Sequence, residues 1–456
     1  VRLSPEEIAA AMGAEILAEG ESGSPQRAVI NSAEAGPGDL FFGLVGANHD
    51  GGTFAPAAIE AGAWGAVVGT KVRRSFLPDS ETKVRRTSWV FVVEDPLAAM
   101  QALARAWRRA LGARVVGITG SVGKTSVKDI TRSLLPGRVH ANRENLNTEI
   151  GLPLTILQAP DDSEALVLEM AMRGKGQIAE LVAIAEPEVA VITNVGPVHV
   201  ELLGSVAAIA AAKAEILDDL PPGGAAVAPA QAGELEPHLE SIAEQLRFGP
   251  GGDVEASDVK VADGVTEAMV KTPLGSQRFH FPFAEAHNLT NALAAIAAGV
   301  ALGADPAGMA DRAASIGFSR FRGERLQLPG GIVLVNDCYN ANPVSMRAAL
   351  DHVASLGAER TVAVLGEMGE LGPESAVYHR EVGEHARAAG IDFVVGVGLP
   401  ARDYDPDELV ADPGEAAELL AQRLEPGDAV LVKGSRSAGL ETVAEQLVDL
   451  VPAEEG

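Results

Sequence analysis

Val115-Val116-Gly117-Ile118-Thr119-Gly120-Ser121-Val122-Gly123-Lys124-Thr125-Ser126 is the stretch on which the reading of this chain turns. Arg114–Thr119 is apolar and β-branched and reads as a buried strand. A glycine loop follows and ends in Lys-Thr, where a helix begins that runs through about Leu135. Glycines let backbone N–H groups converge on an anion, and the positive end of the helix dipole adds to the attraction. In such a loop Lys124 reaches the β- and γ-phosphates of ATP, and the Thr125 hydroxyl ligates Mg²⁺. Gly120, Ser121, Val122, Gly123, Lys124, Thr125 and Ser126 are therefore the candidate nucleotide-binding residues. The spacing is Gly-x-x-Gly-Lys-Thr; the general phosphate-binding pattern needs a glycine where Ile118 stands. A plain strand-to-helix turn is the alternative, and the Lys-Thr pair at the helix start weighs against it.

Outward from the loop, strands and helices alternate. Ala165–Glu169, Val189–Asn194 and Gly224–Pro229 read as strands, with helical patterns over Gln177–Ala185 and Ser205–Leu220. This implies a parallel, doubly wound α/β sheet. Glu169 ends an apolar strand and is a candidate metal carboxylate, although an acid at that place is as often merely solvated. No Asn-Lys-x-Asp follows, which argues against a guanine-specific switch. Residues 253–283 alternate apolar and polar with turns at Asp263-Gly264 and Pro273-Leu274-Gly275, so a small antiparallel meander is expected, then a buried helix from His287 to about Leu302.

Before the loop, residues 1–93 read as a small mixed α/β unit. Ser4-Pro5-Glu6-Glu7 opens a helix with an N-cap, an early Pro and early acids. An apolar run covers Leu40–Val45, strands cover Trp64–Val68 and Thr87–Val93, and a helix spans Pro96 to about Leu111. After about Ser315 come strands at Ile332–Asn336, Thr361–Leu365, Phe393–Val397 and Ala429–Val432, a further α/β unit. Gly396-Val397-Gly398 has Ala401 where a third glycine would make a dinucleotide fingerprint, so that motif is rejected. The domains are thus set at 1–93, 94–315 and 316–456, which suits 456 residues at about 150 per domain.

The composition, 47% apolar and 22% charged, excludes disorder, collagen and coiled coil. A net charge of −27 opposes binding to nucleic acid or anionic membranes. Residues 71–114 nevertheless carry ten Lys and Arg against four acids, either a solvated face or an attraction for an anionic substrate. The single cysteine, Cys338, excludes an intrachain disulfide and fits a reducing compartment. The first residues do not read as a signal peptide, and no stretch reads as a membrane span.

Further motifs carry a resemblance. They are Glu144-Asn145-Leu146-Asn147-Thr148-Glu149-Ile150-Gly151-Leu152-Pro153, Thr193-Asn194-Val195-Gly196-Pro197-Val198-His199 and Ala212-Lys213-Ala214-Glu215-Ile216. With the glycine loop, they resemble the ATP-dependent Mur ligases of peptidoglycan synthesis over essentially the whole chain. Asp337-Cys338-Tyr339-Asn340-Ala341-Asn342-Pro343, Leu365-Gly366-Glu367-Met368-Gly369-Glu370-Leu371-Gly372 and Lys433-Gly434-Ser435-Arg436 are similar to the branch that adds D-alanyl-D-alanine.

The resemblance implies a UDP-sugar-binding first domain, a central P-loop ATPase domain with the meander, and a Rossmann-like C-terminal domain that binds D-alanyl-D-alanine. The implied enzyme is cytoplasmic and monomeric and joins D-alanyl-D-alanine to UDP-N-acetylmuramoyl-tripeptide through an acyl phosphate, using ATP and two Mg²⁺ ions. By the same resemblance Lys124 stabilises the migrating phosphoryl group, and Thr125 with Glu169 binds the first Mg²⁺. His199 is a ligand of the second. Lys213 is a carbamylated lysine, made with CO2, whose carbamate faces that second ion. Asn288 and Asn291 contact adenine, and Arg325 and Asp337 contact phosphate and ribose. Ser32, Asn145 and Asn147 lie on the UDP-tripeptide side, and Tyr339, Asn340 and Asn342 set dipeptide specificity. The chain departs from the family at Asn31-Ser32-Ala33, where Asp-Ser-Arg is usual, at Asp50-Gly51-Gly52, where Asp-Gly-His is usual, and at Glu367, where Asp is common. A folylpolyglutamate-type ligase and a switch ATPase are the competing readings; the first should lack the Tyr339–Pro343 stretch, and the second should turn over ATP without an acceptor.

Overall fold

The computed structural model describes residues 1–76, 88–143, 145–197 and 200–450. Four sheets carry the chain. The first has strands β1 (Glu15–Ala18), β2 (Arg27–Val29), β3 (Asp39–Phe42), β4 (Gly65–Gly69) and β5 (Trp89–Val93), in the order β1-β5-β4-β3-β2. All neighbours are parallel except β1 on β5. The opening helix, Pro5–Met12, has the expected capping box: Ser4 Oγ accepts from Glu7 N and the Glu7 carboxylate from Ser4 N. The strand at Leu40 stops at Phe42 rather than running to Val45, because Gly43 packs directly on the backbone of Gly51 and Gly52.

The helix Pro96–Leu111 joins this unit to the next. Asp95 caps its start, accepting from Leu97 N at 2.8 Å, and Gly112 in the left-handed conformation ends it. Its apolar stripe, Met100, Leu103, Ala104 and Trp107, lies in one core with Phe42 and Phe91 of the first sheet and Leu152 and Leu168 of the central unit. The first two units therefore share a dry interior, which favours their moving together.

The central sheet contains β6 (Arg114–Thr119), β7 (Val139–Ala141), β8 (Ala165–Glu169), β9 (Val189–Ile192), β10 (Ala225–Pro229) and β11 (Gln245–Phe248), all parallel, in the order β11-β10-β9-β6-β8-β7. The connections leave β6 and β9 toward opposite sides, so the crevice at their carboxyl ends is the place where α/β sheets of this kind bind ligands. The glycine loop opens there. The expected meander is present as β12 (Glu255–Ala262), β13 (Val265–Thr272) and β14 (Gly275–Phe281), turning at Asp263-Gly264 and Pro273-Leu274. Phe279, Phe281 and Phe283 stack on one another beneath it. The Ala-rich helix Ala286–Ala301 is buried along most of its length; among the described residues no helix is long and apolar enough to cross a membrane.

The last sheet has β15 (Glu324–Leu328), β16 (Ile332–Asn336), β17 (Thr361–Leu365), β18 (Phe393–Val397), β19 (Glu408–Val410) and β20 (Ala429–Lys433), in the order β15-β16-β20-β17-β18-β19, with β15 the antiparallel member. This unit is docked on the central one. Asp129 accepts from both Ser319 N and Ser319 Oγ at 2.8 Å, and Arg173 pairs with Glu370 at 3.5 Å.

Short edge strands escape the sequence reading: β1, β2, β7, β11, β15 and β19 have three to five residues each and little apolar alternation. The helix expected over Ser205–Leu220 ends at Ala214 and continues as a 3₁₀ turn through Leu217. There the Glu215 carboxylate accepts from Gly176 N and Ala179 N and caps the neighbouring helix Gln177–Ala185. The basic stretch also resolves into structure. Arg105, Arg108 and Arg109 converge on Glu186, Arg114 pairs with Glu188, and Arg73 pairs with Glu15. These cations tie elements together and are not a free attractor for an anion. Lys83, Arg85, Arg86 and Thr87 lie outside the described residues.

Candidate active site

The loop between β6 and the helix Lys124–Leu134 is held from both sides. Gly120 (φ +150°) packs against Thr193, and a side chain there would collide with the threonine hydroxyl. Gly123 (φ +80°) would place a Cβ 2.5 Å from Asn291 Oδ1. Both need glycine, for space and for conformation. The residues after β9 brace the loop: Asn194 Oδ1 accepts from Val122 N at 3.0 Å, Thr193 Oγ1 donates to Val122 O, and Ser121 Oγ bonds to both N and O of Gly196. This is the local reason for the Thr193–Pro197 sequence. Val198 and His199, which follow, lie outside the described residues, as does Glu144, so the second-metal role expected of His199 has no geometry here.

At the start of the helix, Thr125 Oγ1 donates to Glu169 Oε2 at 2.8 Å. Asn147 Nδ2 donates to the other oxygen, Oε1, at 2.8 Å. The Glu169 backbone is clamped as well, with Asn142 Oδ1 accepting its N–H and Asn142 Nδ2 reaching its carbonyl. The buried Lys128 donates to Asn142 O at 3.0 Å and pairs with Asp129 at 3.2 Å. A hydroxyl in the first turn of the helix and a carboxylate at the end of the neighbouring strand β8 form an all-oxygen set that suits Mg²⁺, which keeps phosphate and water as its remaining ligands. Among the described residues no group of three or more His, Cys, Asp and Glu side chains could hold a metal. Asn147, expected on the substrate side, thus holds the Glu169 carboxylate; Asn145 is exposed beside it.

Two lysines meet behind the loop. The Lys124 ammonium donates to Gly120 O at 2.9 Å. Desolvation lowers its pKa and the nearby Arg322 adds to that, while Glu169 opposes. Lys213 is 2% exposed. Its pKa is held well below that of an ordinary lysine, first by desolvation and then by the charge of Lys124. Burial of this kind favours the uncharged amine, the form that reacts with CO2.

Asn288 and Asn291 stand on one helix face. Asn291 Nδ2 donates to Asn288 Oδ1 at 3.2 Å, and Asn288 Nδ2 donates to Glu285 Oε2 at 3.3 Å. Asn288 and Glu285 line a pocket of about 290 Å³ closed on its far side by Phe318, Arg322 and Arg325. The pocket lies where the meander, the helix and the third unit meet.

The arginine that reaches the loop is Arg322, not the expected Arg325. Arg322 Nη2 donates to Thr125 Oγ1 at 3.1 Å, and its guanidinium lies 4.0 Å from the centre of the Tyr339 ring. Its Nε is buried with no hydrogen-bond partner among the described residues. Arg325, three residues on, is exposed and has its guanidinium beside Gly264 at the pocket mouth. Arg322 lies in the bend before β15, and Gly323, at φ +70°, turns the chain before Arg325 enters the strand, which their spacing in Arg322-Gly323-Glu324-Arg325 does not reveal. Asp337 is paired with the buried Lys433 at 2.5 Å, and Lys433 also donates to Asn340 O.

The Tyr339–Asn342 stretch is committed differently from expectation. Asn342 is the N-cap of the helix Pro343–Ala354: its Oδ1 accepts from Ser345 N at 3.0 Å. Asn340 Oδ1 accepts from Ala341 N at 2.8 Å. Tyr339 lies under Arg322. These acceptors serve the backbone, so Asn342 is a capping residue first. Ser32 lies in the turn after β2 that Asn31 shapes, with Asn31 Oδ1 accepting from Ala33 N and Asn31 Nδ2 donating to Glu34.

Comparison with known proteins matches this geometry. The profile described as Mur ligase middle domain fits residues 118–299, and that described as Mur ligase, glutamate ligase domain fits residues 321–436. The chain is 36% identical over 430 residues to the UDP-N-acetylmuramoyl-tripeptide–D-alanyl-D-alanine ligase of Synechocystis sp., covering 90% of this chain and 89% of that protein. MurF from Acinetobacter baumannii superposes with a TM-score of 0.88 at 27% identity, covering 98% of this chain and 99% of that one. MurF ligase from Thermotoga maritima in complex with ADP superposes with a TM-score of 0.80 at 31% identity, over 93% and 98% of the two chains. With its glycine loop, its Thr125–Glu169 pair and these relatives, the chain belongs to the Mur ligase family.

Proposed function

We propose that this protein joins D-alanyl-D-alanine to UDP-N-acetylmuramoyl-tripeptide at the expense of ATP, as a cytoplasmic enzyme. The observation that carries the reading is Arg322 of the third unit bonded to Thr125 of the nucleotide loop. It supports a reaction that runs between the two units, with cations from both sides on the transferred phosphoryl group. The tripeptide carboxylate attacks the γ-phosphorus of ATP, giving an acyl phosphate and ADP. The dipeptide amine then adds to the acyl carbon, and phosphate leaves with the carbonyl re-formed.

The residues divide the work as follows. Backbone N–H groups of the loop cradle the phosphates. Lys124 and Arg322 bring positive charge to where two anions must meet. Thr125 and Glu169 are the groups that would hold Mg²⁺, which supplies charge neutralisation at the phosphates. The clamp of Asn142 and Asn147 fixes the carboxylate, as a second layer around a metal ligand does. Lys213 fits a carbamate, because its side chain is buried and burial lowers its pKa well below that of an ordinary lysine. With a second Mg²⁺, His199 would be the partner of that carbamate. Asn288 and Asn291 are assigned to the adenine side of the pocket. Docking of the third unit excludes water from the acyl phosphate. We assign residues 1–93 to the UDP-sugar, 94–315 to ATP and 316–456 to the dipeptide.

The test is phosphate release by the purified chain with Mg·ATP. Release should depend on both UDP-tripeptide and D-alanyl-D-alanine, with the lysine- and diaminopimelate-containing tripeptides compared. Turnover without either acceptor would sink the reading in favour of a switch ATPase. Acceptance of glutamate on a folate in place of both substrates would sink it in favour of the folylpolyglutamate type.

A further inference from the structure

Glu285 and His352 are not among the residues to which the nucleotide or substrate was assigned from sequence. Glu285 ends the segment that follows the meander, immediately before the helix of Asn288 and Asn291. His352 lies on the third unit's helix Pro343–Ala354. The two side chains meet across the gap between units, His352 Nε2 lying 3.2 Å from Glu285 Oε1, and are 7% and 11% exposed. The approach falls short of hydrogen-bond geometry and is an ion pair when the imidazole carries a proton. The Glu285 carboxyl is held down at about 2: burial alone would raise it, and His352 and Asn288 more than reverse that.

Glu285 faces both ways. One oxygen meets His352. The other accepts from Asn288 Nδ2, Asn288 Oδ1 accepts from Asn291, and Asn291 Oδ1 rests against Gly123 of the nucleotide loop. A line of contacts, polar as far as Asn291 and closed by packing of Asn291 on Gly123, therefore runs from the third unit to the loop. Glu285 and Asn288 line the 290 Å³ pocket, while His352 lines a neighbouring cavity of about 590 Å³ on the other side of Ala284 and Arg325.

We propose that Glu285 and His352 form a clasp that positions Asn288 for the nucleotide and makes nucleotide affinity depend on docking of the third unit. The inference rests on the ATP-dependent reading of the pocket. The physical argument is one of desolvation. With the units apart, both groups would be solvated; docking buries them, and the contact with His352, together with the hydrogen bond from Asn288, offsets that. Removing His352 leaves the buried Glu285 carboxylate with Asn288 as its remaining side-chain partner, so the docked state loses population. A ligand that binds between the units then shows a dissociation constant raised by the inverse of that population. Asn288, with its carboxylate anchor free to turn, also loses its fixed orientation. His352 is thus a positioning residue, acting on the nucleotide through Glu285.

The test is calorimetric titration of the full chain with Mg²⁺ and a non-hydrolysable ATP analogue. His352→Ala and Glu285→Ala should each raise the dissociation constant roughly tenfold or more. Affinity for UDP-tripeptide should stay the same. A cycle between His352→Ala and Asn288→Ala should be non-additive, since Glu285 is the described link between them. That cycle does not need Glu285→Ala to fold. A His352→Ala protein that binds the analogue within twofold of the wild type, or additive effects in the cycle, would overturn the clasp. So would a lowered unfolding temperature with unchanged affinity, the sign of a merely structural ion pair. If the wild type binds the analogue, His352→Ala weakens it and no ligation product forms, the clasp stands and the ligase reading falls.

Discussion

Replacing Arg322 is the most direct probe of how the two units cooperate. The guanidinium donates to Thr125 Oγ1 at 3.1 Å and covers the Tyr339 ring at 4.0 Å. A hydrogen bond from a charged donor contributes about 1.5–3 kcal/mol. A partly desolvated cation over an aromatic ring adds about 0.5–2 kcal/mol. Arg322→Ala should therefore lose about 2–5 kcal/mol of transition-state stabilisation, or about 30-fold to 3,000-fold in kcat/KM for ATP at 1.4 kcal/mol per decade. Arg322→Lys keeps the charge but not the planar stack, so it should recover only part of the loss. The assay is steady-state phosphate release with both acceptors saturating and ATP varied. The Thr125–Glu169 pair stays intact in either variant, so binding of UDP-tripeptide alone should not change. If Arg322→Ala runs within threefold of the wild type, the arginine is an interface contact and the transferred phosphoryl group does not lie beside it.

Other expectations follow from the same geometry. Lys124→Ala should abolish phosphate release without unfolding the chain, because the cation lies where charge moves; near-normal ligation would refute the role. Lys213→Ala should be inactive and partly rescued by a short carboxylic acid in the assay, whereas full activity without rescue would make Lys213 a buried helix residue only. Asn342→Ala should lower the unfolding free energy by about 1 kcal/mol through loss of the helix cap, even with no dipeptide present. A dipeptide KM that rises while denaturant midpoints stay fixed would instead return Asn342 to the ligand. Glu186 is held at about 2 by Arg109 and Arg105, below the ordinary carboxylate value. Its contribution to stability is therefore full above about pH 4.3 and lost as pH falls toward 2. Glu186→Ala should lower the melting temperature at pH 7 and converge with the wild type in acid, and a constant difference across that range would contradict the pairing.

Much was legible in the chain itself. The central strands, the meander and the nucleotide loop follow from local rules: β-branched runs, alternation, and glycines where φ is positive. The pairing of Thr125 with Glu169 could be anticipated, because Glu169 ends a strand parallel to the one that feeds the loop and a loop of this kind calls for an acid. Short edge strands such as β7 and β19 were not legible; they carry too few side chains on a buried face to leave a pattern. The Glu215 cap hid behind a helical run for a similar reason, since its partners Gly176 and Ala179 are almost forty residues away.

The division is sharpest at the third unit. Local sequence determines that Arg322, Tyr339, Asn342 and His352 belong to an α/β unit, because strand and helix periodicity needs only neighbours a few residues apart. It does not determine which arginine faces the loop, that Asn342 caps a helix, or that His352 meets Glu285. Those outcomes depend on how one unit lies against another and on which side a strand turns as it starts. Contacts between residues such as 125 and 322, or 285 and 352, form only once two separately built cores are brought together, and charge buried at that junction is what makes their placement specific.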